Sequence, residues 1–148
     1  MKNIVNKVVE KLGIEEVPVV FDASITDDSR LELRPTVRIV INEKHKDNFI
    51  EYAKCIVHEY RHLFQIFWAR LMNDDIARRW KEELSKAISS SNLDQNSIED
   101  YYFQELEIDA IAFTQVFLKQ QYGIIVVEKN EKYQQIIDLY KIRYKHMM

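Results

Sequence analysis

Two histidines and a glutamate at fixed spacing are the residues of this chain best suited to chemistry. They belong to the string His58-Glu59-Tyr60-Arg61-His62, which is an HExxH motif. On an α-helix, residues i and i+4 share one face about 6 Å apart, so both imidazoles can reach one point and bind zinc at about 2.0–2.1 Å. Glu59 lies about 100° around the helix from His58, where its carboxylate can reach a metal-bound water without being a ligand. The spacing therefore predicts a zinc site with an adjacent general base.

This chemistry requires that the motif lie on a helix and that a third ligand come from another rigid element. Apolar residues around the motif recur at helical spacing, which predicts a helix from about Asn48 to Met72 with Asp47 as its N-cap. The later run Glu105-Leu-Glu107-Ile-Asp109-Ala110 offers carboxylates on a second helix. His45 and His146 are poorer candidates because they fall in a strand-to-helix turn and near the C-terminal end. We therefore expect the third ligand to come from the acidic run.

The remaining elements follow from hydrophobic periodicity and turn residues. An amphipathic helix should end near Gly13, and short strands at 17–21 and 37–42 should pair in a small antiparallel sheet of two or three strands, with 22–30 as a polar turn. After the motif helix we expect a helix from Asp74 or Asp75 to about Ile88, followed by a loop over 89–96. A third long helix should run from Ser97 to about Tyr122, with Gly123 as its stop. We then expect a strand or buried connector over Ile124–Val127 and a last helix from Asn130 or Glu131 to Lys145. The predicted fold class is α+β, mainly helical, with the motif helix packed on the helix of the acidic run.

Composition limits both the fold and the partners. The 148 residues include only two Gly and two Pro, too few for a turn-rich all-β fold or a glycine-rich phosphate loop. The formal net charge of −3, with both signs interspersed, gives no electrostatic footprint for nucleic acid. Cys55 is the only cysteine, and no apolar run is long enough for a signal peptide or a membrane span. We expect a single cytoplasmic domain over residues 1–148 that binds neither nucleic acid nor membrane; the sequence does not indicate its oligomeric state.

The segments HEYRHLFQ and ELEIDAIAF together resemble compact zinc metallopeptidases of the gluzincin type, including small domains similar to the ImmA/IrrE type. The resemblance covers roughly residues 17–118. It implies that His58 and His62 are metal ligands, that Glu59 is the general base, and that Glu107 of an E-x-x-A pattern is the third ligand, with Ala110 as its small partner. It also implies that the strand at 37–42 is the edge strand lining the cleft. The chain departs from the family at Ile111, where Asn is frequent, and it shows no obvious oxyanion-stabilising His or Tyr.

Several nearby residues have alternative interpretations. Glu105 competes with Glu107 as the ligand, and Asp109 is a candidate to support a ligand by a hydrogen bond. Cys55 is three residues before His58 but is best interpreted as a small buried residue. Arg61 could orient a substrate carboxylate or pair with Glu51 or Asp109. The aromatic residues near the two segments are expected in the core: Phe64, Phe67, Trp68 and Tyr101–Phe103.

Two functions from different classes fit these patterns. The favoured hypothesis is a zinc-dependent peptidase with one Zn²⁺ per chain and a peptide or protein substrate. The alternative is a catalytically inactive peptidase-like module that binds metal and acts through a protein partner, in a phage or mobile-element setting. The two differ in whether replacing Glu59 by Gln abolishes turnover while the zinc content stays at one.

Overall fold

The computed structural model describes residues 1–89 and 104–148, which form an α+β fold that is mainly helical, as the sequence predicts. In chain order the elements are α1 (Lys2–Leu12), β1 (Val19–Asp22), β2 (Ser29–Glu32), β3 (Arg38–Asn42), α2 (Phe49–Leu71), α3 (Asp75–Ser89), α4 (Glu105–Tyr122) and α5 (Glu131–Arg143). Short 3₁₀ turns span Glu43–His45 and Lys145–Met147. The chain divides into two compact units, Met1–Phe64 and Gln65–Met148, with the boundary inside α2.

Helix α1 has the amphipathic pattern and the end point that the sequence predicts. Its buried face consists of Ile4, Val5, Val8 and Leu12. Gly13 ends the helix in the left-handed conformation, with φ 67°, and its N–H donates to the carbonyls of Val9 and Glu10. Glycine suits this position because a side chain would strain a positive φ.

The sheet is mixed, which corrects the prediction of an antiparallel sheet. The strand order is β1-β3-β2, with β2 antiparallel to β3 and β1 parallel to β3. Thus β2 and β3 pair with each other, and β1 lies along the opposite edge of β3. Strand β2 begins inside the polar segment 22–30 that the sequence predicts as a turn. The sequence does not predict this strand because Ser-Arg-Leu-Glu has no apolar alternation that would distinguish it from a turn. The prediction that residues 37–42 form the edge strand is wrong, since β3 is central.

Both faces of β3 are covered, because successive side chains point to opposite faces of a strand and three consecutive ones are fully buried. Ile39, Val40 and Ile41 have no exposed surface. Asn42 is also buried, and its amide donates to the carbonyls of Ile25 and Asp27 at 2.9 and 3.2 Å. A buried amide of this kind is tolerated because its hydrogen bonds are made within the protein.

Helix α2 begins one residue later than predicted. The side chain of Asn48 accepts from the backbone N–H of Glu51 at 3.2 Å, so Asn48 and not Asp47 is the N-cap. Asp47 lies in the turn before the helix. Both residue types cap well, and only the path of the chain out of the 3₁₀ turn decides between them.

In the second unit, side chains fix where α3 and α5 begin. Asp74 accepts from the N–H of Ala77 at 2.7 Å, which confirms a helix start at Asp74 or Asp75. Asn130 caps α5 in the same way, accepting from Tyr133 at 3.0 Å. Both caps satisfy backbone donors that the first turn leaves open.

Helix α4 begins at Glu105 rather than at Ser97. Gln104, the residue before it, has an extended backbone with φ −64° and ψ 141°, so the helix does not continue through that position. The predicted loop over 89–96 beyond Ser89, the cap at Ser97 and the aromatics Tyr101–Phe103 lie outside the described residues. Gly123 ends α4 with φ 66°, as predicted.

A cluster between α4 and α5 forms a core of the second unit: Ile108, Ala112, Tyr133 and Ile137, with Ile111, Tyr140 and Met148 against it. The segment Ile124–Val127 is neither a strand nor fully buried, since Ile125 and Val127 are 77% and 68% exposed. Phe67, predicted in the core, is also exposed. It stands on the outer side of α2.

Candidate metal centre

The complete HExxH motif lies in the middle of α2, as the sequence predicts. His58 and His62 are both half-buried, and their Nε2 atoms lie 3.0 Å apart. Their rings meet edge to face, with centroids 4.6 Å apart. The helix therefore directs both imidazoles to one point from i and i+4 positions.

Glu107, in the first turn of α4, completes the group. One ligand atom from each of His58, His62 and Glu107 lies within 4.8 Å of the others. Within residues 1–89 and 104–148, this is the one group of three or more His, Cys, Asp or Glu side chains that could hold a metal ion. Glu107 itself is buried, at 5% exposure.

The chemistry of these donors fits a zinc ion. Two imidazole nitrogens and one carboxylate oxygen are a donor set that zinc binds in enzymes, where three protein ligands leave a fourth position open. Harder ions such as Ca²⁺ and Mg²⁺ prefer sites built from oxygen ligands alone. The residues present therefore suit zinc, or another borderline divalent metal, better than an alkaline-earth ion.

Glu59 does not belong to this group of three candidate ligands. Its side chain is 5% exposed, and its Oε2 accepts a hydrogen bond from the hydroxyl of Ser29 at 3.2 Å. One carboxylate oxygen is thereby held by β2, which leaves Oε1 available for a second hydrogen bond. This arrangement suits a carboxylate that must keep a fixed orientation next to a reaction.

Ser29 is the residue of this site that sequence reasoning missed. It is the first residue of β2 and pairs in register with Ile41 of β3. The polar sequence of its segment predicts a turn, which does not place its side chain near the motif. No clear signal in the sequence could have identified it, because only Leu31 in the stretch Ser-Arg-Leu-Glu has the apolar character of a strand.

The structure separates the two candidate glutamates of α4. Glu105 forms a two-pronged pair with Arg79, in which Nε and one Nη donate to the carboxylate at 2.9 Å each. This pairing also raises the pKa of the Arg79 guanidinium. Glu105 is thus held by a cation on α3, whereas Glu107 is brought to the imidazoles.

Asp109 lies within the second unit, fully buried, between two donors. Its Oδ2 accepts from the side-chain amide of Gln65 at 2.8 Å, and its Oδ1 accepts from the Tyr140 hydroxyl at 3.1 Å. The sequence predicts Asp109 as a candidate to support a ligand by a hydrogen bond, and this stays a prediction. The two hydrogen bonds given above run to Gln65 on α2 and to Tyr140 on α5.

Two further candidates have surroundings that limit their chemistry. Cys55 is buried, and burial raises the pKa of its thiol to about 12, as expected for a small core residue. Arg61 is 1% exposed, with its guanidinium 4.6 Å from the centre of the Phe64 ring. The role of Arg61, whether it orients a substrate carboxylate or pairs with an acid, stays a prediction.

His45, set aside as a ligand, pairs with an acid elsewhere in the first unit. Its Nε2 lies 2.8 Å from Oδ1 of Asp28. The bond to His45 holds the pKa of the Asp28 carboxyl below its ordinary value, with a smaller contribution from Lys44.

Searches of protein-family models, of curated proteins and of solved structures return no match for this chain. No helix in the described part of the chain is both long enough and apolar enough to cross a membrane. The geometry of the site is therefore the basis on which function is argued.

Proposed function

We propose that this chain is a zinc-dependent peptidase of the gluzincin type. The observation that carries the proposal is the convergence of His58, His62 and Glu107, whose ligand atoms lie within 4.8 Å of one another. A helical HExxH motif supplies two of these ligands, and the E-x-x-A segment supplies the third. This combination is the gluzincin pattern that the sequence resembles.

In this proposal His58, His62 and Glu107 hold one zinc ion. When bound there, zinc supplies a Lewis acid that polarises the scissile carbonyl and makes water a better nucleophile at neutral pH. Glu59 accepts the proton of the attacking water and then donates it to the leaving amine. Ser29 keeps the Glu59 carboxylate oriented through its 3.2 Å hydrogen bond.

The substrate in this proposal is an extended peptide or protein segment that lies along β2. In the described sheet β2 pairs with β3 on one side only, so its other edge can accept backbone hydrogen bonds from an added strand. The first residue of β2 contacts Glu59, which would bring such a strand to the general base. This assigns to β2 the cleft-lining role that the family resemblance implies for residues 37–42. The lone, buried Cys55 is compatible with the reducing cytoplasm.

The test compares the wild-type chain with Glu59→Gln. We expect both proteins to bind one zinc ion per chain. We expect Glu59→Gln to hydrolyse a peptide library at least about 10²-fold more slowly, the lower end of what a general base contributes. Glu51→Gln, on the same helix but with a partly exposed side chain paired to Lys54, is the matched control and should keep full activity.

Other results would contradict the proposal in different ways. Absence of zinc after purification without chelator and after reconstitution would refute the metal site. Equal cleavage by wild type and Glu59→Gln would indicate a contaminating protease. One zinc per chain without cleavage of broad libraries or denatured proteins would favour the inactive metal-binding module over the enzyme.

A further inference from the structure

We propose that Gln65 is a positioning residue that sets the direction of the Glu107 carboxylate, and this inference rests on the proposed metal site. Gln65 is the third residue after His62 on α2 and is 1% exposed. Its side-chain amide donates two hydrogen bonds of 2.8 Å, one to the carbonyl of Leu106 and one to Oδ2 of Asp109. These acceptors lie on either side of Glu107 in the sequence.

The two hydrogen bonds restrain the first turn of α4 in a particular way. Each side chain of a helix points in its own direction, about 100° from that of the next residue. A small rotation of α4 about its axis would therefore turn the Glu107 carboxylate away from the two imidazoles. Leu106 is bound through its backbone and Asp109 through its side chain, so Gln65 holds the turn at two points around that axis.

Contacts from α3 and α5 also restrain this turn. The carboxylate of Glu83 accepts from the backbone N–H groups of Glu105 and Leu106 at 2.9 and 3.0 Å, which caps the helix start. Tyr140 on α5 donates to the second oxygen of Asp109 at 3.1 Å. Gln65 is distinct because its two acceptors, Leu106 and Asp109, lie on either side of Glu107 in the sequence, and because Gln65 belongs to the helix that carries the histidines.

The bonding requires an amide rather than any side chain of the same size. An amide nitrogen has two hydrogens, and here each has one acceptor at good distance. A carboxylate at position 65 would present acceptors to a carbonyl and to another carboxylate, which is repulsive. An apolar side chain would leave the buried Asp109 oxygen without this donor, a costly state for a buried polar group.

The experiment measures zinc affinity by competition with a chelator in the full-length chain. We expect Gln65→Leu and Gln65→Glu to bind zinc about 10- to 100-fold more weakly than wild type, the range for groups that orient a metal ligand. Thermal unfolding of the metal-free proteins monitors the fold independently. Absorption spectra of the Co²⁺-loaded proteins should show altered d–d bands in both variants, because these bands report ligand geometry.

Gln115→Leu is the matched control. Gln115 is also a buried glutamine of the second unit, and its amide exchanges hydrogen bonds of 2.8 and 2.9 Å with Gln134. The control should lose thermal stability comparably to Gln65→Leu while its zinc affinity and Co²⁺ spectrum stay those of wild type.

Two results would overturn the inference. If the Gln65 variants keep wild-type zinc affinity, or if Gln115→Leu weakens zinc as much as they do, Gln65 has only a structural role. In both cases wild type still binds zinc, so the proposed function survives. A wild-type chain that binds no zinc instead overturns the proposed function and this inference together.

Discussion

Replacing each of the two glutamates at the start of α4 by alanine should have opposite consequences. Glu107→Ala removes one of three proposed zinc ligands, whereas Glu105→Ala removes the partner of Arg79. We expect the first change to weaken zinc binding greatly and the second to leave it unchanged. The two residues are only two positions apart, so each variant controls for the other.

The size of each effect can be estimated. Zinc binding to sites with four protein ligands is worth about 10–16 kcal/mol, or roughly 3 kcal/mol per ligand, so losing Glu107 should weaken affinity about 10²-fold. The Arg79–Glu105 pair is partly exposed, with 40% and 18% of the two side chains accessible. After allowance for solvent screening, its loss should cost at most about 1 kcal/mol of folding stability.

Thermal unfolding with and without zinc measures both quantities in one assay. At free zinc equal to about 100 times the wild-type dissociation constant, binding stabilises the wild-type fold by about 2.7 kcal/mol. A variant with about 100-fold weaker affinity gains only about 0.4 kcal/mol under the same conditions. Glu105→Ala should show a slightly lower starting stability and the full zinc-dependent increase.

The reverse outcome would refute the ligand assignment. If zinc stabilises Glu107→Ala as much as wild type but fails to stabilise Glu105→Ala, then Glu105 is the ligand and the pairing with Arg79 yields to the metal. If both variants respond fully, neither carboxylate is a ligand. Direct metal analysis of each purified variant would check either result.

Two further predictions concern residues beside the motif. Ser29→Ala removes the donor to the Glu59 carboxylate and should slow peptide hydrolysis about 10-fold, since hydrogen bonds to charged groups contribute about 1.5–3 kcal/mol. The zinc content should not change, and an unaltered turnover number would argue against an orienting role for Ser29. Burial raises the pKa of Cys55 to about 12, so iodoacetamide at pH 8 should leave the native thiol unmodified and alkylate the unfolded chain, as mass spectrometry would detect; equally fast labelling of both states would contradict this.

Local signals in the sequence were enough to predict the helical part of this molecule. Glycines with positive φ end α1 and α4 at the predicted positions, and Asp74 caps the start of α3. Apolar residues that recur around the motif with helical spacing predict that the motif lies on a helix, and α2 confirms this. For the third ligand, the acidic run was identified from the residues alone, but the choice of Glu107 over Glu105 depended on the family resemblance.

The sheet could not be predicted in the same way because its pairing is not local. The order β1-β3-β2 depends on which edge of β3 each neighbour takes, and no residue type encodes that choice. Strand β2 is polar and only four residues long, so its contribution to the site through Ser29 has no sequence signature. Cap choice between adjacent residues, as at Asp47 and Asn48, likewise depends on the path of the preceding turn.

The distribution of buried polar groups along α2 bears on whether the site is catalytic. Within seven residues the helix buries Glu59, Arg61 and Gln65, all at most 5% exposed. A helix that served only the core would gain nothing from charged residues at such positions, because partners repay the desolvation of a buried charge only when their geometry is excellent. In the proposed site, metal binding alone would account for the histidines and, through the proposed orientation of Glu107, for Gln65. It does not account for Glu59, a buried carboxylate that is not among the ligands and is held by Ser29. A general base must be a carboxylate at this position even if it lowers the stability of the fold, whereas binding the ion does not require Glu59. This consideration favours the peptidase over the inactive module.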